Sequence, residues 1–172
     1  MARRIFFSFH FEKDVWRANQ VRMTNVVAGP DVAGFFDHSE YEEAKKKGDD
    51  AIKRMIREKL KGTTVTVVLN GRETASRPYV KYEVEQSLAQ DNGLVGIHIH
   101  QLKMPRDPDY VPLASEIGEV IEELFDWTPP LPLVPKGTDF PAYKWDGDLD
   151  RFRREIEAAG KRAERLRSKR SS

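Results

Sequence analysis

A doubly wound α/β fold, with a mostly parallel sheet and helices on both faces, is the class this sequence predicts. Two runs carry that prediction. Ile5-Phe6-Phe7-Ser8-Phe9 is apolar on both of its faces, and Thr64-Val65-Thr66-Val67-Val68-Leu69 is β-branched almost throughout. A third observation is the order: such runs alternate with segments of helical period and return to a strand at Leu94-Val95-Gly96-Ile97-His98-Ile99. Strands buried on both faces and separated by helical crossovers belong to parallel sheets.

The elements follow in chain order. After the first strand, Val15, Ala18 and Val21 give one helical face between Asp14 and Arg22. Gly29-Pro30 breaks the chain, and Val32-Ala33-Gly34-Phe35-Phe36 predicts a second strand ending at Asp37. His38 to Lys47 is polar and reads as a loop. Gly48-Asp49-Asp50 starts a helix with Asp49 as a candidate N-cap; Ile52, Met55, Ile56 and Leu60 face the core, and Gly62 ends it. Pro78 fits the first turn of the next helix, whose apolar positions are Val80, Val84 and Leu88, with Asn92-Gly93 closing it. Seven of the ten prolines lie between Pro105 and Pro135, so this stretch reads as extended or irregular around a short helix through Ile117, Val120, Ile121 and Leu124. Ala142-Tyr143-Lys144-Trp145 fits an edge strand. Residues 1–150 thus read as one domain with an irregular Pro-rich insertion over 102–141. Residues 148–172 read as a basic C-terminal helix, fraying after Gly160.

Composition excludes several chemistries. The 172 residues contain no cysteine, which removes thiolate nucleophiles, disulfides, Cys-based zinc sites and iron–sulfur clusters. No apolar window approaches the roughly 18 residues of a membrane helix, and the start is too short for a signal-peptide core, so a cytoplasmic protein without membrane partners is expected. The net charge of +1 hides a split: residues 151–172 carry nine Lys/Arg against three Asp/Glu, leaving 20 against 25 elsewhere. The basic tail has Phe152 as its one aromatic, so nucleic-acid binding is not expected. Neither GxGxxG nor GxxxxGK[ST] occurs, which disfavours P-loop and ordinary dinucleotide-fold enzymes.

Ligands in such a fold bind at the carboxyl ends of the strands. That rule selects Ser8-Phe9-His10, Asp37, Asn70-Gly71 and His98 to His100. Each has a plain reading as well: Phe9 in the core, His10 at the surface, Asp37 capping a turn. His98 and His100 share a strand face, but no carboxylate cluster joins them, and no metal is expected. Glu83 is the most chemical candidate. Tyr79 lies one helical turn before it and Tyr82 beside it. A carboxylate against aromatic rings can hold ribose hydroxyls and favour the cation of a loosening glycosidic bond. It can equally be an exposed helix glutamate paired with Lys81 or Arg77, and spacing alone favours that.

Taken together, Arg4-Ile5-Phe6-Phe7-Ser8-Phe9-His10-Phe11, Val32 to Asp37, Lys47-Gly48-Asp49-Asp50-Ala51-Ile52-Lys53 and Arg77-Pro78-Tyr79-Val80-Lys81-Tyr82-Glu83 resemble a TIR domain. More narrowly, they are similar to the bacterial TIR-like, ThsB-like family of the Thoeris anti-phage system. The resemblance is dense from residue 2 to about 100, thin across the Pro-rich stretch, and returns faintly at Tyr143-Lys144-Trp145. It implies a flavodoxin-like TIR fold with His38–Lys47 as the BB loop. Enzymatic TIR domains cleave NAD⁺ at the nicotinamide–ribose bond with a glutamate in a Trp-Cys-x-x-Glu pattern. Tyr79-Val80-Lys81-Tyr82-Glu83 occupies that pattern, with Tyr for Trp and Val for Cys, so Glu83 takes the catalytic place. Ser8, Phe9 and His10 take places walling the nicotinamide–ribose pocket, and Asp37 opens the BB loop, with Tyr79 and Tyr82 as substrate contacts.

The function these readings imply is an NAD⁺ hydrolase or ADP-ribosyl cyclase, silent until activated, that makes a signal nucleotide in antiviral defence. NAD⁺ would be substrate and no cofactor is needed. Self-association, a separate effector reached through the nucleotide and a phage-derived trigger are expected partners. The alternative is a non-enzymatic TIR adaptor assembling through its BB loop.

Overall fold

The computed structural model describes residues 3–26, 38–100, 102 and 134–172. Strands β1 (Ile5–Ser8), β2 (Val65–Asn70), β3 (Gly93–His98) and β4 (Ala142–Lys144) form a four-stranded sheet in that spatial order. All three pairings are parallel, with Ile5 opposite Val65, Val65 opposite Gly93 and Gly96 opposite Ala142. Every residue of β1, β2 and β3 is buried, as runs apolar on both faces require. The doubly wound α/β class read from the sequence is the observed one. The predicted strand Val32 to Asp37 and the short helix through Ile117 to Leu124 lie outside the described residues.

Among the described residues the α-helices are α1 (Phe11–Val26), α2 (His38–Lys47), α3 (Asp49–Leu60), α4 (Pro78–Ala89) and α5 (Leu149–Arg170). Side chains alternate across each strand, and the helices divide accordingly. On one face Val80 and Val84 of α4 pack on Val68 and Leu94, and Ser87 accepts a hydrogen bond from Thr66 Oγ1 at 2.7 Å. On the other, Phe152, Ile156 and Ala159 of α5 join the cluster of Val65, Val67, Val95 and Ile97.

Three local expectations are corrected. His38–Lys47 is a helix, not a loop: Tyr41 and Ala44, three residues apart, supply a narrow inward face, and Tyr41 stacks on Phe11 with ring centroids 4.4 Å apart. Asp49 is the first helical residue of α3 and Gly48 its N-cap, at φ 103°. And α5 does not fray after Gly160 but continues to Arg170. Gly160 is buried under Arg3, whose guanidinium bonds Glu157 and Glu164 on either side.

The basic tail is thereby explained. Its arginines reach back onto backbone carbonyls: Arg162 to Leu94 O at 2.8 Å, Arg170 to Ala89 O at 3.1 Å, and Arg167 to Thr63 O at 3.1 Å and Gln90 O at 3.2 Å. Ala89 and Gln90 end α4, where orphan carbonyls and the negative helix end favour cations. Arg167 also meets Asn92 Oδ1 at 3.1 Å, and Asn92 Nδ2 donates to Thr63 and Thr66 Oγ1. Removing it strands several half-buried acceptors at once. Arg167→Ala is expected to cost about 1–2 kcal/mol, read as a lowered urea midpoint at unchanged m-value.

Candidate active site

The C-terminal end of β1 and the first two turns of α4 meet over the sheet edge. β1 ends at Ser8, and α1 begins at Phe11, its first turn closed by Asp14 N donating to His10 O at 2.9 Å. The link Phe9-His10 is therefore pinned between a strand and a helix with no slack. Pro78 opens α4, and the docking of Val80 and Val84 on the sheet turns Glu83, which flanks Val80 on the helical wheel, inward as well.

Glu83 is 5% exposed, which overturns the surface reading that spacing alone favours; Lys81, by contrast, is exposed. Ser8 Oγ donates to Glu83 Oε2. Burial pushes the Glu83 carboxyl up to about 8, against the opposing pull of the Ser8 hydrogen bond. At neutral pH the unliganded group mostly holds its proton, and a cation placed beside it would draw the proton off.

Above Glu83 opens a cavity of about 280 Å³. Phe9, His10 and Phe11 line it from the β1–α1 junction, Tyr41 from α2, and Tyr79 with Glu83 from α4. Tyr79 is half-buried and donates to Asp49 Oδ1 at 2.8 Å; burial and then that carboxylate push its hydroxyl up to about 12, so it stays neutral. His10 is 6% exposed, and its Nε2 is buried without a hydrogen-bond partner among the described residues. Burial first, and then the Arg77 cation, hold its imidazole below the ordinary range. Glu73 Oε2 lies 3.7 Å from that nitrogen and takes a hydrogen bond from Arg77 Nη2 at 3.0 Å.

The residues singled out in the sequence divide as follows. Ser8, Phe9, His10, Tyr79 and Glu83 come together. Tyr82 does not line the cavity: its hydroxyl accepts from Arg57 Nη1 at 2.7 Å, and Lys53 Nζ sits 5.5 Å from its ring centroid. Asp37 lies outside the described residues. His98 and His100 are buried at the end of β3 with ring centroids 6.3 Å apart, away from this cavity. Among the described residues no group of three or more His, Asp or Glu is placed to hold a metal ion. Tyr41, Arg77 and the Glu12–Lys45 ion pair at 2.6 Å were not legible as cavity groups. Reading Tyr41 and Ala44 as a helical i,i+3 pair would have exposed the first.

The family model described as Thoeris protein ThsB, TIR-like domain, matches residues 6–104. Every described residue lining the cavity falls inside that span. Among curated proteins, the "Putative cyclic ADP-D-ribose synthase ThsB1" of Bacillus cereus (strain MSX-D12) is 44% identical over 105 residues, covering 60% of this chain and 55% of that protein. The chain therefore spans about half the length of this relative.

Proposed function

This chain belongs to the TIR-like domain family of the Thoeris protein ThsB, and on that premise we propose that it cleaves NAD⁺ at the nicotinamide–ribose bond. The product on this reading is an ADP-ribose-derived nucleotide, cyclic in the main, as the name of the Bacillus relative suggests for that protein. The observation that carries the proposal is Glu83: a carboxyl buried at the floor of a cavity with aromatic walls, in hydrogen-bond contact with Ser8.

The chemistry is dissociative. The cavity of about 280 Å³ has room for the nicotinamide ribosyl half of the dinucleotide. Tyr79 and Phe9 offer flat apolar faces to the pyridinium ring. The arriving positive charge lowers the proton affinity of Glu83, which ionises and stabilises the developing ribosyl cation. Ser8 holds the carboxyl in one orientation throughout. Nicotinamide leaves as a neutral molecule, so no metal is needed to stabilise it. Water or a hydroxyl of the same molecule then captures the cation.

The nucleotide reaches a separate effector, and the protein answers a phage-derived trigger, self-associates and works in the cytoplasm. The adaptor reading has less support, because the segment it needs as a free BB loop is a helix seated on Phe11 through Tyr41. Purified protein incubated with NAD⁺, with and without lysate of phage-infected cells, tests the proposal by mass spectrometry. Nicotinamide and a cyclic ADP-ribose isomer are expected. No loss of NAD⁺ in either condition would sink it.

A further inference from the structure

The mouth of the cavity carries charge that the cleavage step does not use. Its lining sorts by exposure. Phe9, Ile52, Val80 and Glu83 are buried and belong to the floor. Glu12, Lys45, Asp49 and Arg77 line it too, and each has more than a third of its side chain exposed. These four mark the rim.

Two of the four are cations, held among the described residues by exposed carboxylates alone. Lys45 Nζ meets Glu12 Oε1 at 2.6 Å, an ion pair from α2 to α1, and Arg77 Nη2 meets Glu73 Oε2 at 3.0 Å. Ion pairs this exposed contribute little to the fold, so either cation can change partner at small cost. Both stand near one carboxylate: Lys45 first and, more weakly, Arg77 among others hold Glu12 below its ordinary range. Asp49, the other rim carboxylate, is occupied by Lys53 at 2.8 Å and by the Tyr79 hydroxyl.

The size of the cavity decides what meets this rim. Its volume of about 280 Å³ accommodates the nicotinamide ribosyl half of NAD⁺. The diphosphate is the next group along the molecule, so it is the first to stand outside, with the adenosine beyond it. We propose that Lys45 and Arg77 grip this diphosphate and so set the affinity of the site for NAD⁺. The inference rests on the NAD⁺-cleaving reading above. Each cation leaves its carboxylate for a phosphate oxygen in a charge-assisted hydrogen bond. The guanidinium can offer two parallel donors to one phosphate, the ammonium a point charge. Glu12 and Glu73, both about half exposed, turn to water. Glu12 therefore competes with the substrate for Lys45.

That competition gives the test two opposite signs. Steady-state cleavage of NAD⁺ is followed at low and high salt in Lys45→Met, Arg77→Met, Glu12→Gln and, as control, Lys47→Met. Lys47 also lies on α2 and pairs with Glu43 at 2.8 Å, but it does not line the cavity. Lys45→Met and Arg77→Met are each expected to raise KM about 10-fold, the loss of one charge-assisted hydrogen bond, with kcat within about 2-fold of the wild type. Added salt should raise the wild-type KM, and raise it less in either variant. Glu12→Gln is expected to lower KM about 3-fold, because it frees Lys45. A pair that only braced α2 against α1 would make Glu12→Gln behave like Lys45→Met. An unchanged KM in Lys45→Met or Arg77→Met, a fall in kcat at constant KM, a KM in Glu12→Gln at or above the wild-type value, or an equal rise in Lys47→Met would each overturn the role. No NAD⁺ cleavage by the wild-type protein would instead remove the function proposal and this role with it.

Discussion

Glu83→Gln is expected to lose NAD⁺ cleavage by about 100- to 1,000-fold, the range for removing one preorganised charge-stabilising group, and at the same time to raise thermal stability. Both effects have one cause. The carboxyl is buried, and its affinity for a proton is raised to about 8 from an ordinary 4.5. Between those values the folded protein holds a proton that the unfolded chain has released. Stability therefore falls as pH rises through that window, and the loss is complete above about 8. A glutamine keeps the acceptor for Ser8 but carries no charge to desolvate. At pH 7.5 the gain is on the order of 2 kcal/mol, after allowing for a buried amide that lacks partners. For a chain of this size that is a Tm higher by roughly 4–8 °C. The difference should close as pH approaches 4.5. Melting curves of both proteins at pH 4.5, 6 and 7.5 check the sign, and a variant no more stable than the wild type at pH 7.5 would contradict the burial of an ionisable Glu83.

A site that costs the fold stability is also why the sequence reads well in some places and poorly in others. The strands were legible because parallel strands buried on both faces leave no polar alternation to misread: β1, β2 and β3 have no exposed position. Glu83 was not legible from spacing, because the phase of α4 is set by Val80 and Val84 docking on Val68 and Leu94, contacts distant in the chain. The pattern of tyrosine and glutamate that the TIR resemblance supplied was needed to single it out. Tyr82 shows the limit of that pattern, since it turns toward Arg57 instead of the cavity. Charge misled twice. In His38–Lys47 the polar residues hid a helix whose inward face is two residues wide, Tyr41 and Ala44. In α5 the arginines looked solvated, yet three of them bond carbonyls of the sheet and of α4.

Gly93 carries the second large effect, and its role was misread in the sequence as a helix stop. α4 ends at Ala89, Asp91 makes the turn with φ 60°, and Gly93 is the first residue of β3. A Cβ there would lie 2.0 Å from Ala159 O and 2.5 Å from Ala159 C, backbone atoms inside α5. Neither can yield without lifting α5 off the sheet, where Phe152, Ile156 and Ala159 are buried. Gly93→Ala is expected to cost about 3 kcal/mol, the upper end for overpacking a close backbone contact. Gly160→Ala is the matched control. Its Cβ would meet Arg3 Nε at 2.4 Å, but that is the end of a flexible side chain, and alanine gains about 1 kcal/mol of helix propensity over glycine. The control should stay within about 1 kcal/mol of the wild type. Urea unfolding of the two variants separates the cases, and equal midpoints for Gly93→Ala and wild type would show that α5 does not rest on β3 as described. The same contact reaches the candidate active site through the sheet. β3 pairs with β2 and β2 with β1, so a displaced α5 loosens the register that sets Ser8 against Glu83. Surviving Gly93→Ala protein should therefore lose NAD⁺ cleavage more steeply than the Gly160→Ala control, although residue 93 does not line the cavity.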